Sequence, residues 1–207
     1  MAIDLTPHLV ALAAALGWAS GLRLYAVVFL TGLAGRLGWV PLPPGLELLQ
    51  HAPVLAASGV MLGAEFLAYK IPLVDSMWDA VHTAIRIPAG AALAAAVFGW
   101  DHATAATIAA LLGGTLAATA HAAKASTRAA VNTSPEPFSN LALSLAGDAM
   151  VPGALWLSWS HPWVFLMLLA LALLLMVWLI RSLLRFVRAL WRRLRSKGHG
   201  PSASGAP

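Results

Sequence analysis

Residues 162–180 read PWVFLMLLALALLLMVWLI, an apolar run that contains no charged side chain. Because a helix that crosses a bilayer needs about 20 consecutive apolar residues, this run predicts a membrane-spanning helix. The composition of the whole chain supports the same class of protein. Of the 207 residues, 60% are hydrophobic and 10% are charged, whereas soluble domains carry about 25% charged residues. These values argue against a water-soluble enzyme and more strongly against a disordered chain.

The chain divides into six apolar segments that are separated by turn-forming residues. The separators include VPLPPG at 40–45 and NTSPEP at 132–137. No segment alternates as a strand would, so α-helices are the predicted spanning structure. The sequence therefore predicts an all-α, polytopic transmembrane helix bundle within residues 1–180. The six predicted segments run over about 7–35, 46–70, 73–99, 103–131, 137–159 and 162–190.

The first segment is longer than one span needs, and Ser20-Gly21-Leu22-Arg23 lies near its middle. Two interpretations stay open: one tilted helix with a buried arginine, or two half-helices that meet at Ser20-Gly21. WASGLRLYAV at 18–27 also shares a small-small-x-Arg core with AKASTRAAV at 123–131. This match indicates either an internal repeat, as in many transporters, or a chance likeness between alanine-rich helices.

The formal net charge of +5 arises at the end of the chain, where no acid follows position 180. The basic residues there recur mainly at spacings of three and four, so residues 181–197 are predicted to form a basic amphipathic helix on the anionic inner leaflet. Membrane topology explains such a flank, and the sequence therefore predicts no nucleic-acid partner. Residues 198–207 are predicted to be disordered from their composition. The basic residues are Arg181, Arg185, Arg188, Arg192, Arg193, Arg195 and Lys197.

The same charges predict an orientation, because basic residues are enriched on the cytoplasmic side of membrane proteins. With a cytoplasmic C-terminus and six crossings, the N-terminus is predicted to be cytoplasmic as well. Lys70, Lys124 and Arg128 then lie near inner ends of segments. The tryptophans near the predicted outer ends form an interfacial belt. They are Trp39, Trp100, Trp156, Trp159 and Trp163.

Charged and polar residues remain inside the apolar segments, and they follow helical spacing. In segment three, Asp75, Asp79, His82 and Arg86 are 4, 3 and 4 residues apart and share one face. A charge at the centre of a span costs roughly 2.5–3.5 kcal/mol on insertion scales, so matched acids and bases predict one paired, hydrated interior. Ion pairs that only hold the bundle in register are the alternative. The predicted interior comprises Arg23, Glu65, Lys70, Asp75, Asp79, His82, Arg86, His121, Lys124, Arg128, Asn132, Glu136 and Asp148.

Three functions are consistent with such an interior. The favoured one is a secondary transporter or channel for a small polar or ionic solute, or for a lipid headgroup. In it, carboxylates carry cations or protons, and basic groups neutralise them or hold an anion. The second is an intramembrane enzyme on a lipid-linked substrate, with Asp79 and His82 as acid–base residues or metal ligands. The third is a structural or accessory membrane subunit.

The implied partners and cofactors are few. The sequence predicts no cofactor, and the absence of cysteine excludes thiolate metal sites. Metal binding by Asp75, Asp79 and His82 stays open, although Arg86 on the same face would repel a cation. The alanine- and glycine-rich helices favour close helix packing, and we predict a homo-oligomer surrounded by membrane lipids.

The sequence NTSPEPFSN at 132–140, preceded by HAAKASTRAAV at 121–131, resembles bacterial membrane proteins of the domain-of-unknown-function 4126 family. In two positions the chain departs from that pattern: Tyr69 replaces an aspartate, and Gly147 replaces a glutamate. The resemblance implies an integral protein of the bacterial inner membrane and transfers no catalytic residue. Other matching stretches are ASGLRLY at 19–25, SGVMLGAEFLAYKIPLVDSMWDAVHT at 58–83, IRIPAGA at 85–91 and HPWVF at 161–165.

Overall fold

The computed structural model describes residues 7–68, 71, 74–131 and 137–197, with the backbone alone at 75–76, 100, 137–141 and 189–197. The described residues form α-helices and short 3-10 helices and contain no strand, which confirms the all-α prediction. Each predicted apolar segment overlaps one α-helix. The α-helices are α1 (Pro7–Arg36), α2 (Ala52–Ala68), α3 (Val74–Ala96), α4 (Ala103–Val131), α5 (Pro137–Ser160) and α6 (Pro162–Lys197). The 3-10 helices are Pro44–Gln50 and Trp100–His102.

Three of the described helices are long and apolar enough to cross a membrane: α1, α4 and the Pro162–Arg188 part of α6. The 3-10 helix Pro44–Gln50 and α2, which meet at 69°, supply a fourth if the bent pair is counted as one span. Charged side chains lower the hydropathy of α3. The chain is therefore a helical membrane protein, while six crossings and an internal repeat stay predictions.

The helix α1 lies at the centre of the bundle, where it contacts each of the five other α-helices. Of the 18 most apolar consecutive residues in α1, 78% are buried, compared with 11% of the corresponding 18 residues in α6. A helix that is apolar on all sides is stable when it is surrounded either by other helices or by lipid, and α1 is surrounded by helices. The helix α6 instead directs large side chains such as Leu174 and Trp178 outward, as a lipid-facing helix does.

The helix α1 is broken at Arg23, whose backbone angles (φ −149°, ψ 89°) are not helical. Unbroken, its 30 residues would span about 45 Å at 1.5 Å per residue. Its two ends are nevertheless close, because His8 and Leu9 line the same cavity as Trp39 and Pro41. The helix therefore doubles back at Arg23, and we call this arrangement the α1 hairpin. Of the two interpretations left open by the sequence, the structure has the two half-helices, and they meet at Arg23 rather than at Ser20-Gly21.

Close backbone packing, and not a helix break, is what the structure shows at Gly21. A Cβ atom at Gly21 would collide with the carbonyl oxygen of Ala117 in α4. One turn earlier, a Cβ at Gly17 would lie 2.6 Å from the Cα atom of Gly113. These glycines stay helical and let the first half of α1 lie directly against α4. The hairpin thereby positions Arg23 near Lys124 and Arg128 of α4, with which it lines one cavity.

Candidate functional site

Arg86 of α3 is fully buried and binds two carboxylates from two helices. Its Nη1 donates a hydrogen bond of 2.6 Å to Asp79 Oδ1, and its Nη2 donates one of 2.6 Å to Glu65 Oε1. Asp79 lies two turns before Arg86 on the same face of α3, and Glu65 reaches them from α2. A buried charge is tolerated only when it is paired and hydrogen-bonded, and these short contacts meet that requirement.

Lys124 joins this group from α4. Its Nζ lies 3.4 Å from Asp79 Oδ1, so one carboxylate oxygen serves both Lys124 and Arg86. The same Nζ donates a hydrogen bond of 2.7 Å to the backbone carbonyl of Leu22. Leu22 immediately precedes the break in α1, where carbonyls lose their usual helical partners. We refer to Glu65, Asp79, Arg86 and Lys124 as the ion network, and Lys124 connects it to the α1 hairpin.

His121 of α4 extends the ion network through a neutral hydrogen-bond chain. Its Nε2 lies 2.7 Å from the Thr83 hydroxyl, and its Nδ1 lies 3.4 Å from Arg86 Nη1. The Thr83 hydroxyl donates to the carbonyl of Asp79 over 2.7 Å. A guanidinium can only donate, and the Thr83 hydroxyl already donates to Asp79, so these two contacts fit the tautomer with its proton on Nε2. All of these contacts are satisfied by a neutral imidazole.

His82 lies on the same buried face of α3 but in aromatic surroundings. Its ring stacks on Trp78 with centroids 4.1 Å apart and meets the edge of Tyr25 at 5.7 Å. Its Nδ1 donates to the carbonyl of Trp78 over 2.8 Å. These contacts place His82 against the second half of α1, one turn from Asp79.

A second ion pair lies at the bend of the α1 hairpin. Arg23 Nη2 is 2.9 Å from Asp148 Oδ1 of α5. The same nitrogen donates to both the hydroxyl and the carbonyl oxygen of Ser144 at 3.1 Å. The Arg23 side chain is 2% exposed and that of Asp148 is 25% exposed. Asp148, which the sequence predicts for the interior, therefore meets Arg23 of the first segment.

The structure thus brings together most of the predicted interior residues that it describes. Arg128 is also buried and lies one turn beyond Lys124 on α4. Lys70, Asn132 and Glu136 lie outside the described residues. Asp75 lies on α3, but its side chain is not described. Within the described part of the chain, no three His, Asp or Glu side chains are grouped as a metal site.

Sequence reasoning missed two participants in the site. Thr83 follows Asp79 by four residues, so helical spacing alone could have placed its hydroxyl on the polar face. The Leu22 carbonyl carries no signal in a sequence, because only the break at Arg23 makes it available to Lys124. The described elements and contacts define a helical membrane protein with an ion-paired interior around a doubled-back helix.

The family of this protein follows from its sequence match. Residues 10–182 match the model of the family described as "Domain of unknown function (DUF4126)". The chain belongs to this family, which confirms the resemblance found in the sequence. No curated protein and no solved structure matches the chain.

Proposed function

We propose that the protein is a secondary transporter or channel for a small polar or ionic solute. The observation that carries the proposal is the ion network, which lies buried at the bend of the α1 hairpin. Charged groups inside a membrane domain are costly and are characteristic of solute or proton pathways. Transporters commonly form their sites where discontinuous helices end in the middle of the bundle. The α1 hairpin, whose two half-helices end at the bend at Arg23 near Lys124, fits that pattern.

Asp79 is the residue on which the proposed movement depends. Its Oδ1 binds Arg86 of its own helix and Lys124 of α4. A proton or a cation on Asp79 weakens its hold on Lys124. Because Lys124 also binds the Leu22 carbonyl, the change reaches the α1 hairpin. Occupancy of the site is thereby coupled to the position of the α1 hairpin. Alternating access needs a coupling of this kind between ligand binding and a conformational change.

We further propose that the two ends of the α1 hairpin face the exterior. His8, Trp39 and Ser160 line one cavity, and α6 begins two residues after Ser160 and continues to Lys197. A helix of that length extends about 50 Å, so its basic end lies far from the cavity. The positive-inside rule then assigns Arg188 to the cytoplasm. The N-terminus is external in this arrangement, unlike the expectation of two cytoplasmic termini, because that expectation counted α1 as one crossing. Cysteines replacing His8 and Ile71 should then react with impermeant reagents from opposite sides.

Two further expectations accompany this proposal. The exposed Arg181, Arg185 and Arg188 would bind anionic lipid headgroups of the inner leaflet. The protein would assemble as a homo-oligomer in the inner membrane. Light scattering of the purified protein measures the oligomer, and vesicle binding with and without anionic lipid measures the headgroup preference.

The experiment that tests transport is ion flux in proteoliposomes under imposed gradients of protons, sodium, potassium and chloride. Wild-type protein is compared with Asp79→Asn and with the matched control Asp101→Asn, which changes an exposed aspartate at the end of the bundle. Arg86→Gln is paired in the same way with Arg36→Gln. Each variant must first elute as a folded species with a cooperative thermal transition.

Flux in wild type and both controls, but not in folded Asp79→Asn or Arg86→Gln, would support a pathway through the ion network. Flux that persists in both network variants would contradict that pathway. Absence of wild-type flux for every ion would favour a structural role for the network. If Asp79→Asn does not fold, Lys124→Gln tests the same coupling, because Lys124 retains partial exposure.

A further inference from the structure

A cavity of about 520 Å³ lies at the end of the bundle where the two ends of the α1 hairpin meet. Its walls come from the first turns of α1, the loop that follows α1 and the last turns of α5. Trp39, Trp156 and Trp159 are among its lining residues, and we call it the tryptophan cavity. The part of α1 between His8 and Leu22 extends about 20 Å. The cavity is therefore a second candidate site, well separated from the ion network.

Two of the three indole rings are open to a ligand. Trp39 is 73% exposed and Trp156 is 63% exposed. The ring of His161 supports Trp156, with the two ring centroids 6.0 Å apart. Trp163 of α6 is exposed to a similar extent, 66%, and is not among the described residues that line the cavity. An interfacial aromatic belt accounts for Trp163, whereas the other three tryptophans converge on one cavity from the loop and from α5.

We propose that the tryptophan cavity binds a quaternary ammonium group, carried either by a free cation such as choline or by a lipid headgroup. The face of an aromatic ring attracts a cation, and tryptophan is the best of the aromatic side chains in this role. Clustered aromatic rings are the usual means by which proteins recognise quaternary ammonium groups. Such a group has no N–H to donate, so it needs ring faces rather than hydrogen-bond acceptors.

The walls and size of the cavity favour this ligand over one that depends on hydrogen bonds, such as a sugar. Among the described lining residues the polar side chains other than the indoles are those of His8 and Ser160. The Ser160 hydroxyl already donates to the carbonyl of Trp156 over 2.8 Å. A ligand with many hydroxyl groups would leave most of them without partners, at a cost for each. The volume of about 520 Å³ lies within the 300–1,000 Å³ of ligand pockets, so the substituent on the ammonium also has room.

The test titrates ligands against the thermal transition of the purified full-length protein in a maltoside detergent, with sodium chloride holding the ionic strength constant. A ligand that binds the folded state raises the transition temperature as its concentration rises. The two quaternary ligands are choline and dihexanoyl phosphatidylcholine. Their controls are 3,3-dimethylbutan-1-ol, in which a neutral carbon replaces the nitrogen of choline, and dihexanoyl phosphatidylglycerol, which has the same chains without the ammonium.

We expect choline, dihexanoyl phosphatidylcholine or both to stabilise the protein, and neither control to do so. Stabilisation by choline alone identifies the free cation as the ligand. Stabilisation by the phosphatidylcholine alone identifies the lipid headgroup. Stabilisation by both shows that the quaternary ammonium group is sufficient.

Variants locate the binding in the cavity. Trp39→Ala and Trp156→Ala each remove one exposed ring and should weaken binding about two- to fivefold, as loss of an exposed cation–π contact does. The matched control Trp163→Ala removes an equally exposed indole outside the described lining and should bind as wild type does. Each titration is compared with the variant's own transition temperature without ligand, which separates a loss of binding from a loss of stability.

Three results would each overturn the proposal. They are failure of both quaternary ligands to stabilise wild type, equal stabilisation by the matching neutral or glycerol control, and unchanged binding in both Trp39→Ala and Trp156→Ala. The inference goes beyond the proposed transport, because binding is measured without flux. Binding in a protein without flux would keep the cavity assignment, and flux without binding would overturn that assignment alone.

Discussion

Substitution of Gly17 by alanine tests the packing that holds the α1 hairpin against α4. The added Cβ would lie 2.6 Å from Gly113 Cα and 3.0 Å from the Gly113 carbonyl oxygen. Both atoms belong to a backbone that cannot rotate away, so α1 and α4 must separate. Overpacking of this kind costs about 1–3 kcal/mol. The accompanying gain in helix propensity is about 1 kcal/mol.

The matched control is Gly63→Ala in α2, where an added Cβ meets nothing within 4 Å. Both variants gain the same helix propensity, so they differ by the overpacking cost alone. For a chain of this size, each kcal/mol shifts the transition temperature by about 2–4 °C. We expect the transition temperature of Gly17→Ala to lie about 2–12 °C below that of Gly63→Ala. Tryptophan fluorescence of the protein in detergent measures both transitions. Equal transition temperatures would refute the close approach of α1 to α4.

The remaining predictions concern the two ion-pair groups. Glu65→Gln leaves Arg86 with one carboxylate fewer in a buried site and should lower the free energy of unfolding by about 3–5 kcal/mol. Its control, Glu47→Gln at an exposed position, should lower it by less than about 0.5 kcal/mol. Equal transition temperatures of the two variants would show that Glu65 does not pair. Ser144→Ala removes one acceptor of Arg23 and should cost roughly 1.5–3 kcal/mol by the same assay, and an unchanged transition temperature would contradict that hydrogen bond.

Most of the helices and part of the site could be predicted from the sequence, because both depend on local periodicity. Asp79 and Arg86 are seven residues apart, and two helical turns necessarily bring them to one face. Hydropathy located the apolar segments for the same kind of reason. The burial of these charges followed from the cost of leaving them in lipid.

The α1 hairpin could not be located from sequence in the same way. Nothing about an arginine signals an extended backbone, while Ser20-Gly21 carries the residues that usually mark a break. Gly21 instead serves close tertiary contact with α4. The contact of Lys124 with the Leu22 carbonyl depends on that break and was equally hidden. The number of membrane crossings also depends on the break in α1.

Double electron–electron resonance between spin labels at His8→Cys and Trp39→Cys tests the α1 hairpin most directly. The chain has no cysteine of its own, so each label is placed on an otherwise unchanged protein. Because both residues line one cavity, the hairpin predicts a distance far shorter than that of an unbroken helix. It predicts a longer distance for the pair His8→Cys and Ile71→Cys. An unbroken helix predicts about 45 Å between His8 and Trp39, and that result would contradict the account.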